Sequence, residues 1–220
     1  MTTRHTIPWW RTDFDETDIA AVAAAIRGRR ITSGAVTRQF EQSLAELIGV
    51  RDAVLTTSGT AALFLALKAA GVGPGDEVIV PAFGFIAPAH AAQLAGARVR
   101  LADVRGDVPV IDPGQASRSI SDRTRVIVAI HLNGAAADIP ALQQLAKDHG
   151  LQIVEDGAQA LASSGPHGLL GSESGLSAFS LGITKLCPMG EGGFVAARDD
   201  DVAESLRRFR NHGVAAIRQD

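Results

Sequence analysis

The sequence predicts an α/β fold in which a mostly parallel, seven-stranded sheet carries helices on both faces. Short apolar stretches alternate along the chain with loops rich in Gly, Pro or Asp and then with helical patterns. Several of these stretches are almost continuously apolar, as in residues 126–130, which is typical of strands buried on both faces of a parallel sheet. The predicted strands are residues 53–57, 77–80, 99–103, 125–130, 151–155, 176–179 and 193–197.

Helical patterns occupy the segments before and between these strands. The predicted helices are residues 16–27, 36–48, 60–70, 138–149 and a last one from residue 200 onward. Asp138 is placed to cap the fourth of these helices, and Gly150 follows its end. The last helix is amphipathic, and its apolar stripe is predicted to contain Val202, Leu206 and Phe209.

The composition of the chain bears on which partners, compartments and metal sites to expect. Hydrophobic residues make up 46% of the chain, charged residues 20%, and the net charge is −3 without a basic run, so we expect no nucleic-acid partner. Cys187 is the only cysteine, which excludes an internal disulfide and fits a reducing compartment. The N-terminus lacks a signal-peptide core and no stretch is long enough to span a bilayer, so we expect a cytoplasmic protein without a membrane partner. The six histidines lack metal-ligand spacing, and we predict no metal site.

Two polar motifs follow predicted strands, where ligands bind in doubly wound sheets. In residues 57–60, Gly59 stands between hydroxyl side chains at the start of a helix, which suits either an anion site or an ordinary N-cap. Taken alone, this motif favours the N-cap. In residues 155–159, an acid at the end of the strand could project into the cleft with Gln159 beside it, or it could cap a helix, and the two interpretations are about equally good.

Lys185 has an unusual setting for a lysine. The stretch from Phe179 to Met189 carries no other charge, and a lysine shielded from water has a lowered pKa and becomes an amine nucleophile. An anion cradle, a carboxylate and such an amine on successive strand ends are the three groups that pyridoxal phosphate requires.

At this point the sequence resembles the DegT/StrS family of fold-type-I, pyridoxal-phosphate-dependent sugar aminotransferases. The resemblance runs through almost the whole chain and keeps the order of the family motifs. The matching stretches are residues 57–63, 73–81, 154–160, 179–180, 184–185, 190–193 and 210–213.

The resemblance assigns roles by position. It implies that Lys185 forms the internal aldimine with pyridoxal 5′-phosphate and moves the proton, while Asp156 keeps the ring nitrogen protonated. It further implies a set of cofactor contacts: Gly59, Thr60, Ala61 and Ser180 around the phosphate, Gln159 at the ring hydroxyl and Phe85 stacked on the ring.

The reaction implied by the resemblance has two halves. An amino acid, with glutamate as the expected donor, leaves its amino group on the cofactor, and a keto sugar nucleotide or related cyclic ketone then receives it. The resemblance also implies a homodimer with active sites at the subunit interface. Two alternatives remain open: a dehydration by the same cofactor, and a truncated or split chain that acts as a non-catalytic binding or assembly partner. The presence of Lys185 argues against dehydration, because relatives that dehydrate typically lack it.

The domain organisation follows from the same resemblance. Residues 1–50 are expected to form a helical segment that packs on a cofactor-binding large domain, residues 51–220. The resemblance implies that this chain lacks the small C-terminal domain of the family, which a second chain could supply. Some positions depart from the common family pattern and are expected to line the sugar side of the pocket: Asn133, Gly157, Gly182, Ile183, Leu186 and Cys187.

Three further features are interpreted as structural. His131 ends a predicted strand and could reach the cleft, although a hydrogen-bonded structural histidine is favoured. Trp9 and Trp10 are interpreted as packing residues or a subunit contact rather than a ligand cage. Cys187, two residues from Lys185, is interpreted as a bystander because no histidine lies nearby in sequence to activate it.

Overall fold

A computed structural model describes residues 7–214 and contains one large sheet and one small hairpin. Its strands are β1 Asp52–Thr56, β2 Glu77–Pro81, β3 Arg98–Ala102, β4 Thr124–Ile130, β5 Gln152–Asp156, β6 Ser164–Gly165, β7 Gly168–Leu169, β8 Leu176–Ser180 and β9 Gly193–Ala197. Each of the seven predicted strands is present, with its ends within one residue of the prediction. The β6–β7 hairpin was not predicted, because two-residue strands are too short to show an alternating pattern.

The large sheet has the strand order β1-β9-β8-β5-β4-β2-β3. The five neighbouring strands β8, β5, β4, β2 and β3 run parallel to one another. In contrast, β9 is antiparallel to both of its neighbours, β1 and β8. The predicted mostly parallel sheet is therefore confirmed. Because β4, β5 and β8 are parallel, their carboxyl ends meet at one edge, which is where ligands bind in such sheets.

Helices cover both faces, as predicted. They are α1 Glu16–Arg27, α2 Ala35–Ile48, α3 Gly59–Ala69, α4 Ala87–Leu94, α5 Pro113–Arg118, α6 Ile139–His149 and α7 Asp200–Arg210. One hydrophobic cluster joins the sheet to α3, α4 and α7, and the opposite face packs against α2, α5 and α6. The cap predicted for α6 is present: the Asp138 carboxylate accepts a hydrogen bond of 3.0 Å from the Ala141 N–H, and Gly150 ends the helix in the left-handed conformation.

The stripe predicted for α7 is correct except at its end. Leu206 is fully buried and Val202 packs against the core, but Phe209 is about half exposed. Ala203, on the turn before Leu206, is buried instead. Arg210 at the end of α7 donates hydrogen bonds to the buried Glu41 of α2 and to the Leu55 carbonyl oxygen, so it ties these elements together.

The two N-terminal helices differ in how much they bury. Leu44, Ala45 and Ile48 of α2 are buried next to β1, whereas α1 buries none of its residues against the described part of the chain. The division into segments at residue 50 stays a prediction. Within residues 7–214, no helix combines the length and the apolar character needed to cross a membrane.

Candidate active site at the carboxyl ends of the strands

A cavity of about 850 Å³ lies at the carboxyl ends of β4, β5 and β8. It brings together seven of the eight residues singled out from the sequence: Gly59, Thr60, Phe85, Asp156, Gln159, Ser180 and Lys185. Ala61 is the exception, because it does not line the cavity. Its backbone N–H instead donates a hydrogen bond of 3.1 Å to the Ser58 hydroxyl, which caps α3.

The start of α3 leaves two backbone donors at the cavity. Ser58 caps the Ala61 N–H, but among the described residues no acceptor is bonded to the N–H groups of Gly59 and Thr60. Unpartnered N–H groups at the positive end of a helix dipole favour an anion. The N-cap interpretation is confirmed at Ser58, and the N–H groups of the next two residues remain available for a ligand.

Two glycines bring α3 unusually close to the sheet. A Cβ atom on Gly59 would lie 2.7 Å from the Ser180 Cβ, and one on Gly193 would lie 2.6 Å from the Ser58 carbonyl group. Neither contact is possible for a larger residue without movement. The absence of these side chains places the first turn of α3 directly beside the Ser180 hydroxyl at the end of β8.

Glu155 and Asp156 at the end of β5 point to opposite faces of the sheet, as successive strand residues do. Glu155 is fully buried and its Oε2 lies 2.8 Å from Nε2 of the equally buried His131. The Ala137 N–H donates to the other ring nitrogen of His131, Nδ1, at 3.2 Å, so Nε2 is the nitrogen that carries the hydrogen and donates to Glu155. The structural interpretation of His131 is thereby confirmed.

The Glu155 carboxylate has further donors in the loop that precedes β8. It accepts backbone hydrogen bonds from Gly171 at 3.0 Å, Glu173 at 3.0 Å and Ser174 at 2.6 Å. Burial raises the pKa of Glu155, but the hydrogen bonds from His131 and Ser174 outweigh it and leave the pKa below its ordinary value. Glu155 is therefore an ionised anchor for this loop and does not reach the cavity.

Asp156 has the opposite setting. Its side chain is only 4% exposed, and within residues 7–214 it accepts a single hydrogen bond, 3.0 Å long, from the Ala158 N–H. Burial raises the pKa of Asp156, and the Ala158 hydrogen bond and the positive charge of Lys185 offset this only in part. A buried carboxylate with few donors is well placed to take a cationic or N–H partner from a ligand.

Lys185 lies in the loop between β8 and β9 and is half-buried at the cavity wall. The loop turns back on itself through hydrogen bonds from the Lys185 N–H to the Gly182 carbonyl oxygen, 2.9 Å, and from the Met189 N–H to the Leu181 carbonyl oxygen, 2.8 Å. Among the described residues that line the cavity, Lys185 is the only lysine, arginine or histidine. Its amine is therefore the only protein cation available to a ligand from this part of the chain.

The cavity is also lined by Trp9 and by some of the positions that depart from the family pattern. Trp9 is 88% exposed yet lines the cavity, so it is not a packing residue within the described chain. Of the six positions that depart from the family pattern, Asn133, Gly182, Ile183 and Leu186 line the cavity, whereas Gly157 and Cys187 do not. In residues 7–214, no three His, Cys, Asp or Glu side chains converge in a way that could hold a metal ion.

Comparison with known proteins identifies the family of this chain. The sequence profile of the DegT/DnrJ/EryC1/StrS aminotransferase family matches residues 12–220. The chain belongs to this family. Its fold is accordingly that of the fold-type-I aminotransferases, as the resemblance implied.

Two relatives within the family are informative. The dTDP-3-amino-3,4,6-trideoxy-alpha-D-glucose transaminase of Streptomyces venezuelae is 41% identical over 199 residues, which cover 90% of this chain and 52% of that protein. The spore coat polysaccharide biosynthesis protein SpsC of Bacillus subtilis is 34% identical over 211 residues, or 96% of this chain and 54% of the relative. The chain thus spans about half the length of these two relatives.

A solved structure has a similar fold. The structure of ntda from Bacillus subtilis with bound cofactor PMP superposes with a TM-score of 0.85 at 27% identity, covering 92% of this chain and 46% of that one. The fold of this chain therefore matches about half of that structure.

Proposed function

We propose that this chain is the cofactor-binding part of a pyridoxal-phosphate-dependent aminotransferase that transfers an amino group from an amino acid to a keto sugar nucleotide or related cyclic ketone. Glutamate is the expected amino donor. One observation carries the proposal: a single cavity brings together the Lys185 amine, the Asp156 carboxylate and the available N–H groups at the start of α3. The S. venezuelae relative, by its name, is a transaminase of a dTDP-linked sugar, and PMP is the amine form of pyridoxal phosphate.

The groups at the cavity fit this cofactor in chemistry and in order. The N–H groups of Gly59 and Thr60 and the Ser180 hydroxyl would hold its phosphate and form a phosphate cradle, because all three residues line the cavity at the positive end of α3. Asp156 would face the ring nitrogen, whose positive charge compensates for the burial of the carboxylate. When bound, pyridoxal phosphate supplies an electron sink for the negative charge that develops on the amino-acid carbon.

Lys185 would have two tasks. Its amine would hold the cofactor covalently at the aldehyde carbon, whose oxygen would leave as water, and when free the same amine would accept and return the proton that the substrate exchanges. Phe85 would stack on the ring, and Gln159 would contact the ring hydroxyl. Such contacts fix the ring in the orientation that proton transfer requires.

The keto substrate would bind in the same cavity. Asn133, Ile183 and Leu186 line it and differ from the common family pattern, so we propose that they select the acceptor. The rival hypothesis of a non-catalytic assembly partner is less well supported, because such a role does not require all three groups of the cofactor site to be retained.

A homodimer with the active site at the subunit interface completes the proposal. The exposed apolar side chains of Phe83, Phe85, Ile86 and Leu186 lie on or next to the cavity wall and would be covered by a second subunit. A partner subunit would also add positive charge for the phosphate, for which this chain offers Lys185 alone within its described part. Light scattering should give twice the mass of one chain, and a monomer would contradict this part of the proposal.

We also propose a cytoplasmic location, which the lone cysteine Cys187 supports.

The lysine content of the chain allows a sharp test of the cofactor site. The sequence contains three lysines, Lys68, Lys147 and Lys185. Purified protein is mixed with pyridoxal phosphate, reduced with borohydride and mapped by peptide mass spectrometry. We expect one adduct per chain, on Lys185, together with a visible absorbance band that Lys185→Arg abolishes and Lys147→Arg preserves. Adducts distributed over all three lysines would contradict the proposal.

A further inference from the structure

The turn that follows β4 carries a residue in an uncommon backbone conformation. Asn133, between the buried Leu132 and Gly134, has φ 53° and ψ 29°, which lies in the left-handed region that residues other than glycine rarely adopt. The turn is held at its base, because the His131 N–H donates to the Asp156 carbonyl oxygen at 3.0 Å and the Gly134 N–H donates to the His131 carbonyl oxygen at 3.2 Å. Non-glycine residues in this region tend to occur where the backbone has a functional task.

The consequence of this conformation is a hydrogen bond to a cavity residue. The Asn133 N–H donates to Oε1 of Gln159 at a distance of 3.0 Å. A backbone N–H can only donate, so the Gln159 atom that faces it must be the oxygen. The Gln159 NH₂ group is therefore the end of the amide that remains for the cavity, which Gln159 lines.

We propose that Asn133 is a positioning residue that fixes the orientation of the Gln159 amide, so that its NH₂ group donates a hydrogen bond into the cavity. The two orientations of a glutamine amide have nearly the same shape but opposite hydrogen-bonding character, and a second group must select between them. A fixed donor at this place suits an ionised oxygen on the ligand. This inference rests on the proposed function, in which that oxygen is the ring hydroxyl oxygen of pyridoxal phosphate.

Four variants separate the parts of this inference. Asn133→Gly keeps the left-handed backbone, whereas Asn133→Val disfavours it because a branched side chain clashes there. Gln159→Glu can still accept from the Asn133 N–H but offers no donor to the cavity, and Gln159→Leu removes both interactions. Circular dichroism and thermal unfolding establish that each variant is folded.

The first readout uses the protein without cofactor. Exchange of the Asn133 amide hydrogen, measured by NMR, should be about fivefold faster in Gln159→Leu than in the native chain and unchanged in Gln159→Glu. Equal exchange rates in the native chain and Gln159→Leu would overturn the inference, because the hydrogen bond would then not exist in solution.

The second readout is the pH midpoint of the absorbance change of bound pyridoxal phosphate. A hydrogen bond donated to the ionised ring oxygen lowers this midpoint, so Gln159→Leu, Gln159→Glu and Asn133→Val should each raise it, by about one pH unit. Asn133→Gly should leave it unchanged, and Asn133→Val combined with Gln159→Leu should shift it no further than Gln159→Leu alone.

The outcomes distinguish this inference from the proposed function. A native midpoint in Asn133→Val, alongside a raised one in Gln159→Leu, would overturn the positioning role while leaving the cofactor site intact. Failure of the native chain to bind pyridoxal phosphate would instead contradict the proposed function and the role of the donor at the ring oxygen. The exchange measurement would still decide whether Asn133 orients Gln159.

Discussion

Glu155 and Asp156 are neighbours in β5, yet their carboxylates lie in opposite environments on the two sides of the sheet. On one side, Glu155 lies in a closed network with His131 and the loop before β8 and accepts four hydrogen bonds. Those from His131 and Ser174 hold its pKa below the ordinary value. On the other side, Asp156 lies at an open cavity with one hydrogen bond, and burial raises its pKa. Successive side chains of a strand point to opposite faces, so one step along β5 separates a structural acid from a candidate catalytic acid.

This difference shows how burial alone fails to identify a functional acid. Both side chains are almost completely inaccessible to water, so the number of hydrogen-bond donors decides their character. Where donors satisfy the carboxylate, the group stabilises the fold. Where donors are few, burial of the carboxylate costs free energy, and a ligand that supplies the missing partner offsets this cost.

Among changes to the two carboxylates, Asp156→Asn is expected to have the largest effect. This change keeps the shape of the side chain but removes the charge that would face the ring nitrogen, so transamination with glutamate should fall about 100-fold or more, the equivalent of losing one buried charge partner. Steady-state rates with bound cofactor measure the effect. A loss smaller than about threefold would mean that Asp156 does not interact with the cofactor charge.

Glu155→Gln tests the closed side of the comparison. A glutamine cannot accept from all four donors, so the free energy of unfolding should fall by about 3 kcal/mol, while the rate per folded molecule stays close to that of the native chain. Urea denaturation gives the free energy, and Glu46→Gln, on the exposed surface of α2, is the matched control. Equal stability of the two variants would show that the network around Glu155 contributes little.

Gly59→Ala sharpens the comparison at the cavity. The added Cβ would lie 2.7 Å from the Ser180 Cβ and would push α3 away from β8, so we expect the affinity for pyridoxal phosphate to fall about tenfold. Gly73→Ala, where a Cβ meets no atom within 4 Å, is the control and should bind normally. A fluorescence titration measures both, and equal affinities would contradict the phosphate cradle.

The smallest effect is a pair of opposite pH dependences in the cofactor-free protein. The lowered pKa of Glu155 stabilises the fold above its ordinary value of 4.5, and this contribution is lost as the pH falls through the lower folded-state pKa. The raised pKa of Asp156 acts in the other direction. It contributes stability below the ordinary value of 3.8 and loses it as the pH rises through the folded-state pKa.

Unfolding free energies between about pH 3 and pH 7 test the two signs. The difference between the native chain and Glu155→Gln should shrink on acidification. Asp156→Asn should become more stable, relative to the native chain, as the pH rises. Dependences of the same sign for both variants would contradict the opposite settings of the two carboxylates.

The sheet could be predicted because each strand is a local pattern. Apolar runs such as residues 126–130 must be covered on both faces wherever they lie, and helix signals such as Asp138 and Gly150 act on their own turn. Phe209 was placed incorrectly for the opposite reason. Its position on the α7 stripe is local, but its burial depends on a neighbour that the described chain does not supply.

The sequence by itself determined the fold class, the strand positions and the family, because these depend on periodicity, on capping residues and on motifs that keep a fixed order along the chain. The residue pattern alone did not decide which of Glu155 and Asp156 meets the cavity, a choice that the family resemblance made for Asp156. Nor did it show that His131 joins Glu155 or that Asn133 turns its N–H toward Gln159. Those outcomes depend on distances between residues remote in the chain, such as His131 and Glu155 or Asn133 and Gln159. Only the packing of β4, β5 and the loops at their ends fixes these distances, and with them the chemistry of the cavity.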